Sequence, residues 1–420
     1  MVKLIVPILL IGLCLVSDLY LFWRYINPAL TTQTALHSPL PTVLRVAWWI
    51  PLVVLIGFFV KFLFFNSGLD KEYNTTNLFL LLMVLICIPK ILFSLCSLIP
   101  KVGVWIGFIV AACIVYMVVY GITIGFTQLK VRHVTFESTR VPKAFDGYKI
   151  VQFSDAHTGS FRGPYAHLVK ESVDSINAQN PDLVCFVGDI ENFSPAELEE
   201  HEAAYSAIKA KDGVMTIMGN HDYSTYLRLP KKEEAAMVQK TRDVQRRFGW
   251  DMLIDENRTI SRGGDSIYVI GEENWGLPPF PQYGDIKKAV GNIAQTLDKD
   301  KRSNTFTLML SHDPNAWRHH ILPVIRPDIT LAGHTHGTQF SLFGWSPSSM
   351  IYEEWGGQYY YNDNHNVNDN LNVNDNEEIV SRTTTEERPT LLYVSTGFGG
   401  NFPFRFNMPR EIVVITLKRK

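Results

Sequence analysis

The chain has 420 residues, a formal net charge of -2 and an isoelectric point near 6.6. That length exceeds what one core usually needs, and the charge balance argues against a generally basic nucleic-acid binder. The mean hydropathy of +0.03 averages two unlike parts, an apolar beginning and an ordinary globular remainder.

Four apolar runs come first, at about residues 4–23, 46–65, 77–99 and 102–129. Each reaches the ~20 residues that cross a hydrocarbon core. A signal peptide has a shorter core and is not followed by three more spans. The reading is a four-helix transmembrane region at 1–129, a linker at 130–147 and a globular domain at 148–420. Lys3, Lys61, Lys71, Lys130, Arg132, Arg140, Lys143 and Lys149 fall on one side of the spans, against Arg24, Arg45 and Lys101 on the other. This bias predicts a multi-pass protein of the cell (inner) membrane with its globular domain in the cytoplasm. Two charges interrupt the runs, Asp18 in the first and Lys90 in the third. Those helices run the same way, and both charges lie roughly 20 Å deep at about 1.5 Å per residue. An ion pair between them is expected, because intramembrane charges seek a partner.

The five cysteines, Cys14, Cys87, Cys96, Cys113 and Cys185, lie in apolar segments and form no Cys-x-x-Cys pair. They read as small hydrophobes, without a disulfide framework.

From residue 148 onward, short apolar runs alternate with amphipathic stretches. Strands are predicted at 149–153, 183–187, 214–218, 267–270, 305–310 and 329–332, and helices at 164–178, 195–210 and 232–248. This order predicts an α/β layered domain. Residues 359–388 hold two Asn-Val-Asn-Asp-Asn repeats and read as a low-complexity surface insertion, with His365 as a loop histidine.

Five short motifs each follow a predicted strand. They are Ser154-Asp155-Ala156-His157, Gly188-Asp189, Gly219-Asn220-His221-Asp222, Ser311-His312-Asp313 and Gly333-His334-Thr335-His336-Gly337. In open α/β sheets, ligands bind beyond the carboxyl ends of the strands. Aspartate oxygens and imidazoles are suitable ligands for divalent transition metals. Singly, Asp-x-His and Gly-Asp are weak signals; all five in this order are strong.

The set resembles the calcineurin-like metallophosphoesterase superfamily over about residues 148–417. The closing Ser395-Thr396-Gly397-Phe398-Gly399-Gly400, with Pro403, Arg405, Pro409, Glu411 and Ile412, is similar to its bacterial membrane-associated branch. Members of that branch include pyrophosphatases acting on UDP-diacylglucosamine and related phosphodiesterases. The resemblance implies a four-layer α/β (α+β) fold, a β-sandwich flanked by helices. It also implies two divalent metal ions, with Mn, Fe and Zn all open. Asp155, His157 and His336 would hold the first, and Asn220, His312 and His334 the second. Asp189 would bridge them. His221 would protonate the leaving oxygen or contact the phosphate, and Asp222 would orient it. Ala156, Glu191-Asn192 and Thr396-Gly397 depart from the usual pattern without removing a ligand.

The expected activity is hydrolysis of a phosphodiester or pyrophosphate, with a membrane lipid as a possible substrate beside the bilayer. A tethered phosphodiesterase for soluble substrates and a non-catalytic metal-binding sensor are the alternatives. Phe398, Phe402, Phe404 and Phe406 read either as core or as an apolar lip for a lipid tail.

Overall fold

The computed structural model describes residues 2–32, 39–64, 73–294, 305–361, 366–367, 379–380 and 390–420. The chain divides into two compact units, Met1–Gly121 and Ile122–Lys420.

The first unit is helical. Helix α1 (Val2–Leu21) continues through a π turn into a short helix, and α2 (Leu40–Phe64), α3 (Tyr73–Ser97) and α4 (Gly103–Thr123) follow. Four stretches, Ile5–Thr31, Leu40–Lys61, Thr75–Ser97 and Gly103–Thr127, are long and apolar enough to cross a bilayer. Cys14, Leu52, Leu55, Phe79, Met83 and Cys87 fill the helical core. Within it, Lys90 Nζ lies 2.8 Å from Asp18 Oδ1, and the Asp18 side chain is fully buried. The Lys90 ammonium also sits 5.0 Å from the Trp48 ring centroid. The two span charges are therefore paired, as their matched depths predict. Lys90→Met should cost roughly 3–5 kcal/mol by stranding a buried carboxylate. The swap Asp18→Lys/Lys90→Asp should recover part of the folded yield, measured by gel filtration in detergent. A swap no better than the single variants would refute this energetic role.

The second unit is a sandwich of two seven-stranded sheets. Strands β1 (Leu129–Ser138), β2 (Lys149–Phe153), β3 (Leu183–Val187), β4 (Val214–Ile217) and β5 (Asp251–Met252) enter the first. Strands β6 (Glu256–Arg262), β7 (Asp265–Gly271), β8 (Phe306–Leu310), β9 (Ile329–Ala332), β10 (Gly357–Tyr361) and β11 (Asn366–Val367) enter the second. β12 (Ile379–Val380) and β14 (Arg410–Arg419) return to the first sheet, and β13 (Thr390–Val394) to the second. The first sheet runs β12-β1-β14-β2-β3-β4-β5 and the second β11-β10-β13-β9-β8-β7-β6.

Alternation explains the layers. Ile150, Leu183, Cys185 and Ile217 face Ile267, Leu308, Leu331 and Leu391 between the sheets. Val151, Val184 and Phe186 point the other way, onto helices α5 (His167–Ala178) and α6 (Lys231–Arg247) through Val169, Val173 and Val244. The far face of the second sheet is covered through Ile270, Met309, Ala332 and Leu392. Strands buried on both faces read as continuous apolar runs, which is why β2, β3, β8 and β9 stand where the sequence predicts them.

Three predictions need correction. Residues 130–147 are not a bare linker, because β1 pairs with β14 along its whole length. Its Arg132 is buried against Glu411, and Arg140 pairs with Asp328, so these two cations are built into the folded unit. The stretch 195–210 is not one helix but a 3-10 turn, Pro195–His201, and a single helical turn, Glu202–Tyr205. There the Glu197 carboxylate reaches back to the amides of Asn192 and Phe193, at 2.6 and 3.0 Å, and tightens the turn. Finally, the first residues of the predicted insertion, Tyr359, Tyr360 and Tyr361, belong to β10. His365 and most of the Asn/Asp-rich repeat lie outside the described residues.

Candidate metal centre

Four of the five predicted motifs begin where a strand stops, Gly219 follows β4 after one residue, and backbone bonds lace the motifs together. The amide of Asp155 donates to the Gly188 carbonyl at 2.9 Å, and that of His157 to the Asp189 carbonyl at 3.1 Å. On the second sheet the Gly333 amide donates to the His312 carbonyl at 2.9 Å. Two bonds cross between the sheets. His312 Nδ1 donates to the Val187 carbonyl at 2.7 Å, and the His334 amide donates to Asp155 Oδ1 at 3.0 Å. The carboxyl edges of both sheets thus meet at one place.

That place is conformationally strained. Asp155, His157, Asp189, His334 and His336 all have positive φ, between 41° and 72°. A non-glycine residue pays about 1–2 kcal/mol for such a backbone. Strain of this kind concentrates at functional sites, where the surrounding structure holds it. The glycines alongside are required by space. A Cβ on Gly219 would stand 2.2 Å from Asp189 Oδ1, and one on Gly333 would stand 2.3 Å from Asp155 Oδ2.

The side chains converge into buried groups. Asp155, His157 and His336 form one, and Asp189, His312 and His334 another, with the donor atoms of each within 4.8 Å of one another. His157 Nε2 lies 3.0 Å from His336 Nε2, and His336 Nε2 lies 3.4 Å from Asp155 Oδ1. Asp189 stands between the groups, its Oδ2 3.2 Å from His312 Nε2 and 3.6 Å from His157 Nε2. His334 turns Nδ1 toward His312, at 3.3 Å, and Nε2 toward the Tyr352 hydroxyl, at 3.1 Å. Asn220 gives its amide nitrogen to the Tyr226 hydroxyl at 2.9 Å, while its Oδ1 is buried with no hydrogen-bond partner among the described residues. An orphaned carbonyl oxygen next to two Asp/His groups is what a divalent cation would satisfy, so the residues fit such ions.

The electrostatics agree. Burial holds His157 and His336 well below the usual imidazole range and lowers His334, leaving neutral rings with lone pairs to donate. Burial also raises Asp155, to about 7. Asp189 is equally buried, yet His312 and His221 outweigh that burial and hold it well below the usual carboxylate range. For His312, burial is outweighed by Asp189 and Asp155, which push it up to about 10. A cation entering here would replace the His312 proton, so binding is expected to weaken in acid.

Asp222, expected to orient His221, binds the backbone around it. Its carboxylate accepts from the amides of Asp189 and Ile190, both at 2.8 Å, and of Gly219 at 2.9 Å, fixing the loops that carry Asp189 and Asn220. His221 instead donates from Nδ1 to the Asn192 carbonyl at 2.7 Å, and its ring lies against Tyr226 with centroids 4.4 Å apart. The His221 ring is also 4.7 Å from that of His157, and it forms a third close group with His157 and Asp189.

Tyr226, Phe280, Tyr352 and Arg405 were outside the predicted site. Phe280 stands edge-on to His334, with centroids 4.5 Å apart. Arg405 lies fully buried under the loop after β13, donating to the carbonyls of Thr396, Gly397 and Gly399. The closing motif quoted above already contained Arg405. The three aromatics carry no local signal, since they arrive from loops of irregular sequence.

Buried Asp/His groups at the joined carboxyl edges of a β-sandwich suit a metal-dependent hydrolase, and the family match makes its bond a phosphoric ester. Residues 148–338 match the calcineurin-like phosphoesterase family model, so this stretch is a calcineurin-like phosphoesterase domain. The chain is 28% identical to the uncharacterised metallophosphoesterase YkuE of Bacillus subtilis over 289 residues, covering 68% of this chain and 84% of that protein. It is 25% identical to the UDP-2,3-diacylglucosamine pyrophosphatase LpxG of Chlamydia trachomatis, covering 67% of this chain and 88% of that one. A transmembrane protein with a metallophosphoesterase domain from Danio rerio is 26% identical, over 53% of this chain and 48% of its own length.

Proposed function

We propose that this chain is a multi-pass membrane hydrolase that uses two divalent ions to cleave a phosphodiester or pyrophosphate bond in a lipid-linked substrate. The observation that carries the proposal is Asp189, an anionic carboxylate placed between two Asp/His groups. Asp155, His157 and His336 would hold one ion, Asn220, His312 and His334 the other, with Asp189 shared. Bound there, the ions would polarise the phosphoryl group and make an attacking water more acidic. His221 is assigned to the leaving oxygen. Its Nδ1 is anchored on the Asn192 carbonyl, and Nε2 would carry the transferred proton. Four spans and the resemblance to LpxG support a lipid-linked substrate. The excess of lysine on the side of the hydrolase unit supports a cytoplasmic placement at the inner membrane.

Metal analysis of the purified chain, followed by a phosphoester panel with added Mn²⁺, tests this reading. About two ions per chain and turnover favouring lipid-borne diesters are expected. No turnover with any divalent metal would refute the hydrolase. Equal turnover of soluble and lipid-borne diesters would refute the lipid substrate.

A further inference from the structure

We propose that the hairpin loop at residues 342–351 inserts into the bilayer and presents the metal centre to a lipid-borne substrate. The inference rests on the lipid reading above and names the surface that would serve it.

The loop is inside out. Ser341, Ser346 and Ser348 are buried, and the Ser346 hydroxyl donates to the Gly337 carbonyl at 2.6 Å. The large apolar side chains point outward, with Phe343 99% exposed, Met350 78% and Ile351 69%, joined by Leu342 and Trp345. Among the described residues of the second unit, the other exposed large apolar side chains are only Ile124 and Tyr283. Soluble proteins scatter such residues singly, and a concentration of them marks an interaction surface.

The tip sharpens the point. Leu342 and Trp345 exchange both backbone bonds, at 2.9 and 3.0 Å, around Phe343 and Gly344. Both central residues have positive φ, 52° and 80°. Asn or Asp is the ordinary choice at the first of these positions, before glycine. A bulky aromatic there bears backbone strain and gains no burial within the chain.

The loop is also fixed to the site. The Thr338 and Ser346 hydroxyls lie 3.1 Å apart, the Ser341 amide donates to the Phe406 carbonyl at 2.9 Å, and the Tyr352 hydroxyl meets His334 Nε2 at 3.1 Å. Whatever holds the tip therefore holds the His334 and His336 segment with it.

Three observations favour a bilayer as the occupant. The twelve residues from Phe340 to Ile351 carry no charge. The fourth apolar stretch ends at Thr127 and β1 begins at Leu129, so the tether keeps this unit at a membrane surface. Five side chains on one hairpin fall well short of the roughly 20–30 residues a side of a stable protein interface. Trp345 beside an apolar tip also suits the boundary between headgroups and acyl chains.

The test uses the full chain in nanodiscs of phosphatidylcholine and phosphatidylglycerol, with Mn²⁺ and two probes that share a leaving group. One is a diacyl phospholipid with a p-nitrophenyl phosphodiester head, and the other is bis(p-nitrophenyl) phosphate. Phe343→Ser and Met350→Ser should each lower kcat/KM for the lipid probe roughly tenfold and leave the soluble probe unchanged. Acyl-brominated lipids should quench wild-type tryptophan fluorescence more than that of Trp345→Phe. If wild type prefers the lipid probe but both serine variants keep that preference, the loop proposal is overturned and the lipid reading stands. Equal quenching of wild type and Trp345→Phe, with or without self-association through the loop, overturns it as well. If wild type itself shows no preference, the lipid reading has failed, and the quenching comparison still decides whether the loop inserts.

Discussion

Asp189→Asn should lower turnover on the order of 10³-fold, about 4 kcal/mol of barrier, while the protein stays folded. Asparagine keeps the shape of the side chain, and its Oδ1 can still accept the His221 amide, a bond of 2.8 Å in the native chain. What it removes is the negative charge next to His157 and His312, whose Nε2 atoms lie 3.6 and 3.2 Å from Asp189 Oδ2. If Asp189 bridges two ions as proposed, a neutral amide would be shared less strongly between them, and metal content should fall toward one ion per chain. Unchanged circular dichroism with lost turnover is the expected pair of results. Turnover within a few-fold of wild type would remove Asp189 from the centre of the mechanism. Retained metal without any native turnover would favour the binding-only sensor.

The candidate site was legible because its chemistry is local. Each motif is two to five residues long and starts within two residues of the end of a buried strand, as Ser154 follows Phe153 and Gly188 follows Val187. What stayed hidden depends on residues that meet only in three dimensions. The family resemblance implied that Asp222 serves His221, but the two occupy a 3-10 turn, His221–Tyr223. Three residues per turn point successive side chains in different directions. Asp222 accordingly faces the Asp189 loop, while His221 faces Asn192. β1 was obscured by its own charges. Arg132 reads as a linker residue until Glu411, arriving on β14 nearly 280 positions later, neutralises it.

The apolar lip shows the same limit. Phe398 is buried between Phe153 and Phe161, at ring distances of 5.4 and 5.7 Å. The reason is its glycine neighbour, because a Cβ on Gly399 would stand 1.9 Å from the Ala156 carbonyl oxygen. The loop is pressed inward and Phe398 becomes core. Phe406 is buried against Phe340, while Phe402 and Phe404 are half-buried. The exposed apolar surface is instead at residues 342–351, a segment with neither period nor motif to mark it.

Arg405→Met should destabilise the hydrolase unit by roughly 3–5 kcal/mol and abolish most turnover. The guanidinium is completely buried. Its donors reach the carbonyls of Gly399 at 3.0 Å, Met408 at 3.1 Å, Pro409 at 3.2 Å, Thr396 at 2.8 Å and Gly397 at 3.1 Å. Methionine fills similar volume but leaves these acceptors without the arginine, and each buried polar group so stranded costs about 1–3 kcal/mol. A unit with about 5–15 kcal/mol of stability feels that directly. The loss should extend to chemistry because the same loop supports the metal centre. A Cβ on Gly397 would stand 3.1 Å from both Asp155 Cβ and His336 Nδ1, so the Arg405-held backbone forms a wall of the first Asp/His group. Arg405→Lys separates charge from geometry. An ammonium keeps the charge but cannot hold five carbonyls in a planar fork, so it should recover only part of the denaturant midpoint. If lysine restored both midpoint and turnover fully, charge near Asp155 would be the operative property; if methionine were as stable as wild type, the carbonyl cage would carry no structural load.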